Sequence, residues 1–107
     1  MFLYFLYENE GNHCVYVGKT IGLRKRLTSH RKNKKFSKVD TVKYIEIQNI
    51  ADAEMLEIYY ISQLFPCFNK EFKSKESSNF QLPEIYEDMK FTVVPFKMQW
   101  EKHGSAK

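Results

Sequence analysis

From residue 11 to residue 39 the chain carries nine lysines and arginines and no aspartate or glutamate. An element built from that stretch has no internal ion pairs to lean on. It must bury an apolar stripe and leave its charges in water or against an anion. The nine are Lys19, Arg24, Lys25, Arg26, Arg31, Lys32, Lys34, Lys35 and Lys38, out of seventeen basic residues in all, whereas acids gather at residues 52–57 and 84–88. Net charge is only +4, so segregation rather than excess points to a polyanion as partner. A solvated helix face is the alternative reading of the same run.

The flanking segments give an order of elements. Residues 2–7, FLYFLY, read as a strand from their aromatic content, with a short buried helix as the alternative. ENEGN supplies a turn, and residues 14–17 form a second strand that Gly18 ends. Thr20 is placed to cap a helix that starts at Gly22 or Leu23, runs to about Lys34, and carries Leu23 and Leu27 as its stripe. Residues 41–48 are a third strand, and Asn49 or Asp52 caps a second helix that Pro66 stops after Phe65. The polar, serine-rich run after Asn69 reads as a loop or hinge. Beyond it come a short helix opening at Pro83, a short strand FTVVPF pushed to an edge by Pro95, and a frayed end.

With 107 residues, 43% of them hydrophobic and 16% aromatic, the chain fits one globular domain with a modest core. Cys14 and Cys67 leave room for one disulfide, but reduced thiols in a cytoplasmic protein are the simpler reading. Together with His13, His30 and His103 they show no zinc-ligand spacing. The amino terminus lacks the pattern of a signal peptide, and no apolar run approaches a membrane span of about 20 residues. The expectation is a soluble, cytoplasmic protein.

One side chain of the second helix is out of place. At 100° per residue Ala53, Leu56, Tyr60, Ile61 and Leu64 share a face, and Glu57 projects among them between Leu64 and Ile61. A carboxylate is costly on a core-facing stripe unless it opens into a cleft, pairs with a cation or binds a metal. A structural salt bridge to an arginine of the first helix is the plain explanation. Arg26 and His30, four residues apart, flank the stripe of that first helix. If both helices pack on the same sheet, Arg26, His30 and Glu57 border one groove.

The series FLY…VYVGKTIGLRKRLTSH…LEIYYISQLFPCFN, from Phe2 to Asn69, resembles the GIY-YIG nuclease family. The first motif falls on Phe2-Leu3-Tyr4, with Tyr7 as the competing tyrosine in a hairpin about one residue longer than usual. The second falls on Tyr16-Val17-Gly18, followed by Arg26, His30, Glu57 and Asn69. The resemblance implies an α/β (α+β) fold, a small three-stranded antiparallel sheet flanked by helices, over residues 1–70. Residues 71–107 are then a short C-terminal extension packed on or flanking it.

The activity implied is metal-dependent endonucleolytic hydrolysis of DNA. Glu57 would hold one Mg²⁺ or Mn²⁺, Arg26 would grip the scissile phosphate, and Tyr16 or Tyr4 would orient or deprotonate the attacking water with help from His30. Lys19, Arg24, Lys25, Arg31, Lys32, Lys34 and Lys35 would contact nucleic acid. Gly18 would keep the strand end bare for close approach of a phosphate, and Asn69 would fasten the end of the domain. The alternative function is a module that binds nucleic acid through the basic helix without cutting it. A third is a protein-interaction domain using the FTVVPF edge. A monomer or weak homodimer is expected.

Overall fold

Strand β1 (Phe2–Glu8) pairs antiparallel with β2 (His13–Thr20) on one side and β3 (Thr41–Glu46) on the other. This central place explains its unbroken apolar run: Leu3, Tyr4, Phe5 and Leu6 are all buried, alternately toward the two faces. The computed structural model describes residues 1–69 and 82–97. Within them the sheet has four strands in the order β2-β1-β3-β4, because β4 (Thr92–Pro95) adds antiparallel to β3. The expected three-stranded sheet is thus one strand short. The missing strand is FTVVPF, and Pro95, which has no N–H to donate, lies in the edge strand as anticipated. The serine-rich run after Asn69 and the chain end, His103 included, lie outside the described residues.

The β1–β2 turn uses three consecutive left-handed residues, Asn9, Glu10 and Gly11, with φ of 58°, 55° and 79°. Asp40 holds the turn by accepting from the backbone N–H of Glu10 (2.8 Å) and Gly11 (3.1 Å). The pairing skips a residue, Leu6 opposing Tyr16 and Tyr7 opposing Cys14. This bulge sets Val15 and Tyr16 together on one face and accounts for the longer hairpin.

Helix α1 (Leu23–Arg31) covers that face with Leu23 and Leu27. It stops three residues before the expected Lys34. The next apolar side chain, Phe36, lies nine residues beyond Leu27. A 3-10 turn at Lys34–Phe36, capped by the Asn33 side chain on the Lys35 N–H, tucks Phe36 into the core. Thr20 does not cap α1. Gly22 holds the cap position, and the Thr20 hydroxyl accepts from the Gly22 N–H at 3.1 Å, tightening the corner before the helix.

Helix α2 (Ile50–Leu64), capped by the Asn49 side chain on the Asp52 N–H, covers the opposite face. It buries Ala53, Leu56, Glu57, Ile61 and Ser62, whereas Leu64, expected on the same stripe, is 40% exposed in the last turn. Phe65 then turns left-handed (φ 47°), a conformation that costs a bulky residue, because Pro66 blocks further helix. Leu82, Tyr86, Met89 and Phe91 pack over the α2 side, the Tyr86 hydroxyl donating to Asp52 at 2.7 Å, and Phe96 enters the α1-side core. No helix among the described residues is long and apolar enough to cross a membrane, and Cys14 and Cys67 are not joined by a disulfide.

Candidate active site

Tyr4 on β1 lies directly opposite Gly18 on β2. A β-carbon at Gly18 would come within 2.7 Å of the Tyr4 ring and hydroxyl and 2.9 Å of the Tyr16 ring. Real side chains do not approach so closely, so glycine here makes room for two phenols. The residue type that looked suited to an approaching phosphate has its first cause inside the protein.

The Tyr4 hydroxyl lies 2.8 Å from Nε2 of His30, which α1 points back at the sheet from its last turn. Tyr4 is fully buried, and burial, reinforced by neighbouring Tyr16, pushes its phenol well above the ordinary tyrosine value. The Arg26 guanidinium, hydrogen-bonded to the same oxygen, pulls the other way without reversing the shift. Burial also pushes His30 down to about 4, with the charges of Arg26 and Lys35 acting in the same direction. Tyr4 is therefore a neutral phenol and His30 a neutral imidazole at pH 7. An arginine can only donate, so the Tyr4 oxygen accepts from Arg26, and the imidazole tautomer sets the donor in the Tyr4–His30 bond.

Tyr16 is half-buried and rests edge-on against His30 (5.1 Å between ring centres) and Phe36 (5.5 Å). Phe36 in turn contacts His30 and Phe68, and the Lys35 ammonium sits over the rings of Phe36 and Phe68. Phe36 and Phe68 escaped the sequence reading. The available signal for Phe36 was a single phenylalanine in the otherwise polar run KNKKFSK.

Asn69 seals the outer edge of β2. Its side-chain carbonyl accepts from the Val17 N–H and its amide donates to the Val17 C=O, both at 2.8 Å, while the Phe68 N–H donates to the Val15 C=O. The backbone on either side of Tyr16 is thereby fixed from outside the sheet.

Strand alternation sends Lys19 to the other face, beside α2, where its ammonium meets Glu57 Oε1 at 3.1 Å. The two helices lie on opposite faces, so Glu57 does not share a groove floor with Arg26 and His30. The three residues flank β2, an edge strand of the sheet, from its two sides. Glu57 is 8% exposed, and among the described residues no group of three His, Cys, Asp or Glu is gathered to hold a metal.

At the start of α1 a shallow depression is lined by Thr20, Ile21, Gly22, Lys25, Arg26 and Ser29. The helix has no acid in its first turn, so its N-terminal dipole and these cations make an anion-attracting mouth beside Tyr4 and Tyr16. Arg24 and Lys25 are exposed beside it, and Lys32 and Lys34 are exposed past the other end of the helix. Arg31 is not splayed outward: its guanidinium returns to the Leu27 C=O and the Thr28 hydroxyl.

Two motif tyrosines, an arginine and a histidine thus meet at one corner, with the glutamate behind the strand and the asparagine on its edge. A family model described as the UvrC-like GIY-YIG domain matches residues 3–70. The chain belongs to the GIY-YIG family. Among curated proteins and solved structures none matches. GIY-YIG domains are generally endonucleases, which makes nucleic acid the class of substrate. Of the two candidates for the first GIY-YIG tyrosine, the fold brings Tyr4 to the corner. Tyr7 faces the α2 side, packed near Cys14 and under the Lys43 ammonium, its phenol pushed up to about 12 by burial.

Proposed function

We propose that this protein is a metal-dependent endonuclease hydrolysing DNA phosphodiesters, with Tyr16 handling the attacking water. The observation that carries this reading is the division of labour between two tyrosines at one corner. Tyr4 is sealed, neutral and engaged with His30, whereas Tyr16 is partly open beside the cationic mouth of α1.

Arg26 clamps the scissile phosphate, a task for which a planar, permanently charged fork is suited. Tyr16 orients the water by accepting a hydrogen bond from it. The water's proton passes to solvent as its oxygen attacks phosphorus and the bond to the 3′ oxygen breaks, and the departing oxygen takes its proton from solvent. Tyr4 and His30 act behind it as positioning residues. Their neutral hydrogen bond holds the ring stack without adding charge beside the phosphate. Lys19, Arg24, Lys25, Lys32, Lys34 and Lys35 meet neighbouring phosphates.

A single hard cation is the metal we assign, with Glu57 as its protein ligand. Glu57 offers one nearly buried carboxylate, suited to Mg²⁺ or Mn²⁺, which keep most of their waters and take further oxygens from the substrate. When bound there, such an ion supplies Lewis-acid charge against the phosphate and the departing oxygen.

The test is to incubate the purified chain with labelled single-stranded, duplex and branched DNA, and with RNA, in Mg²⁺ or chelator. Cleavage of a DNA that needs Mg²⁺ and is lost in folded Glu57→Ala is the expected result. Tight binding with no cleavage of any substrate would replace this reading with that of a non-cutting module.

A further inference from the structure

The ion pair behind the catalytic strand raises a question that the proposed reaction does not answer. Lys19 stands where a metal ion would be expected to bind, its ammonium 3.1 Å from Glu57 Oε1. The carboxylate is 8% exposed among Ala53, Leu56 and Ile61, and an uncompensated charge there would be costly. The Lys19 ammonium supplies compensating charge in the substrate-free protein. A divalent ion held at about 2.1 Å and an ammonium compete for the same carboxylate and repel one another. The Lys19 side chain is 28% exposed, on a four-carbon stem, and springs from the edge strand between Gly18 and Thr20. A stem of that length on an edge strand puts the other side of the edge, on which Arg26 lies, within the reach the proposal requires.

We infer that Lys19 is a latch on Glu57, holding the carboxylate in the substrate-free protein and releasing it when a substrate phosphate takes the ammonium. This rests on the nuclease reading above and adds its order of events. Metal ion and nucleic acid strengthen one another's binding because each removes the competitor or partner of the other. Linkage makes that effect reciprocal, and couplings of this kind typically run from about 5-fold to 150-fold. The free protein would then hold metal weakly, and the ion would be committed only where there is a bond to cut.

The test measures Mn²⁺ binding to the full chain by electron paramagnetic resonance, with and without a cleavage-resistant phosphorothioate DNA in single-stranded and duplex form. Glu57→Gln marks which binding belongs to the site. Without DNA, Lys19→Met should bind Mn²⁺ at Glu57 roughly 5-fold to 100-fold more tightly than wild type. Saturating DNA should bring the two proteins together, and Lys19→Arg, which keeps the charge, should resemble wild type. Equal Mn²⁺ affinity of wild type and Lys19→Met without DNA, still abolished by Glu57→Gln, would overturn the latch and leave the metal reading standing. Binding that is independent of Glu57 in every variant, with DNA and without, would overturn both. Whether or not Lys19→Met folds, the wild-type protein supplies an independent measurement. The ¹³C-dimethyl signal of reductively methylated Lys19 should move on addition of DNA alone, and an unmoved signal at saturation would overturn the proposal.

Discussion

The two motif tyrosines share a residue type and a corner but differ in what they can do. Burial and the His30 bond keep the Tyr4 proton in place, so Tyr4→Phe loses a positioning hydrogen bond, worth about 1 kcal/mol of stability. Tyr16→Phe keeps the ring stack and removes the hydroxyl that meets the water. Its turnover should fall by about 10² or more with unfolding unchanged. Denaturant titration and single-turnover cleavage of both variants check this, and a larger catalytic loss in Tyr4→Phe would reverse the assignment.

His30 makes a pH prediction of the same local kind. Its folded value of about 4 lies below the ordinary 6.5, so between those values the unfolded chain binds a proton that the folded protein refuses. Stability is then complete above pH 6.5 and falls as pH drops toward 4. A His30→Gln variant should lack that part of the slope, and the ring nitrogen shifts of His30 should still report a neutral imidazole at pH 5.5.

At the scale of elements, the site is an edge strand fixed on three sides: by β1 through pairing, by α1 through His30 against Tyr16, and by residues 66–69 from outside. Asn69 supplies the last with a single side chain. Asn69→Ala leaves the Val17 N–H and C=O without their partner and should cost about 2–3 kcal/mol. The Val17 amide should exchange with solvent far faster, a change that a purely catalytic role for Asn69 would not produce. Gly18→Ala tests the strand from inside: its methyl collides with a ring that is fully buried, so activity should fall although glycine is not demanded there by a positive φ.

These elements were unequally legible in the sequence. Strands β1 to β3 and helix α2 announced themselves by apolar patterning and by Asn49 and Pro66, although β2 runs on to Thr20, past its expected end at Gly18, because β1 pairs with it to Phe2. Glu57 stood out because its charge broke an apolar stripe. The end of α1 did not. Lysines at 32, 34 and 35 are good helix formers, and only tertiary packing of Phe36 decides that the chain turns first. The opposite-face placement of the helices was also hidden. Periodicity reports which side of a helix is buried, not which side of the sheet receives it. Lys19 therefore reaches Glu57 by strand alternation, which helix periodicity does not report.

Across the whole molecule the unequal spread of charge becomes a prediction about binding. The acid-free run wraps the α1 side, and Arg24, Lys32 and Lys34 stand exposed there without touching the Tyr4–His30–Tyr16 stack. Lys35 is different: it rests on Phe36 and Phe68 and depresses His30, so removing it would disturb the corner itself. Arg31 is folded back on its own helix. Neutralising Arg24, Lys32 and Lys34 together thus separates binding from cutting more cleanly than deleting the basic run wholesale. Each phosphate contact contributes about 0.7–0.9 to the slope of log affinity against log salt, so loss of three should flatten it by about 2–3. KM should rise, while kcat at saturating DNA stays near wild type, because the lost contacts act alike in ground and transition states. The measurement is a salt titration of DNA binding in a Glu57→Ala background, followed by cleavage kinetics in the native one. Equal salt slopes for parent and triple variant would mean that the nucleic acid avoids this side of α1. A fallen kcat would mean that these charges reach the reacting phosphate after all.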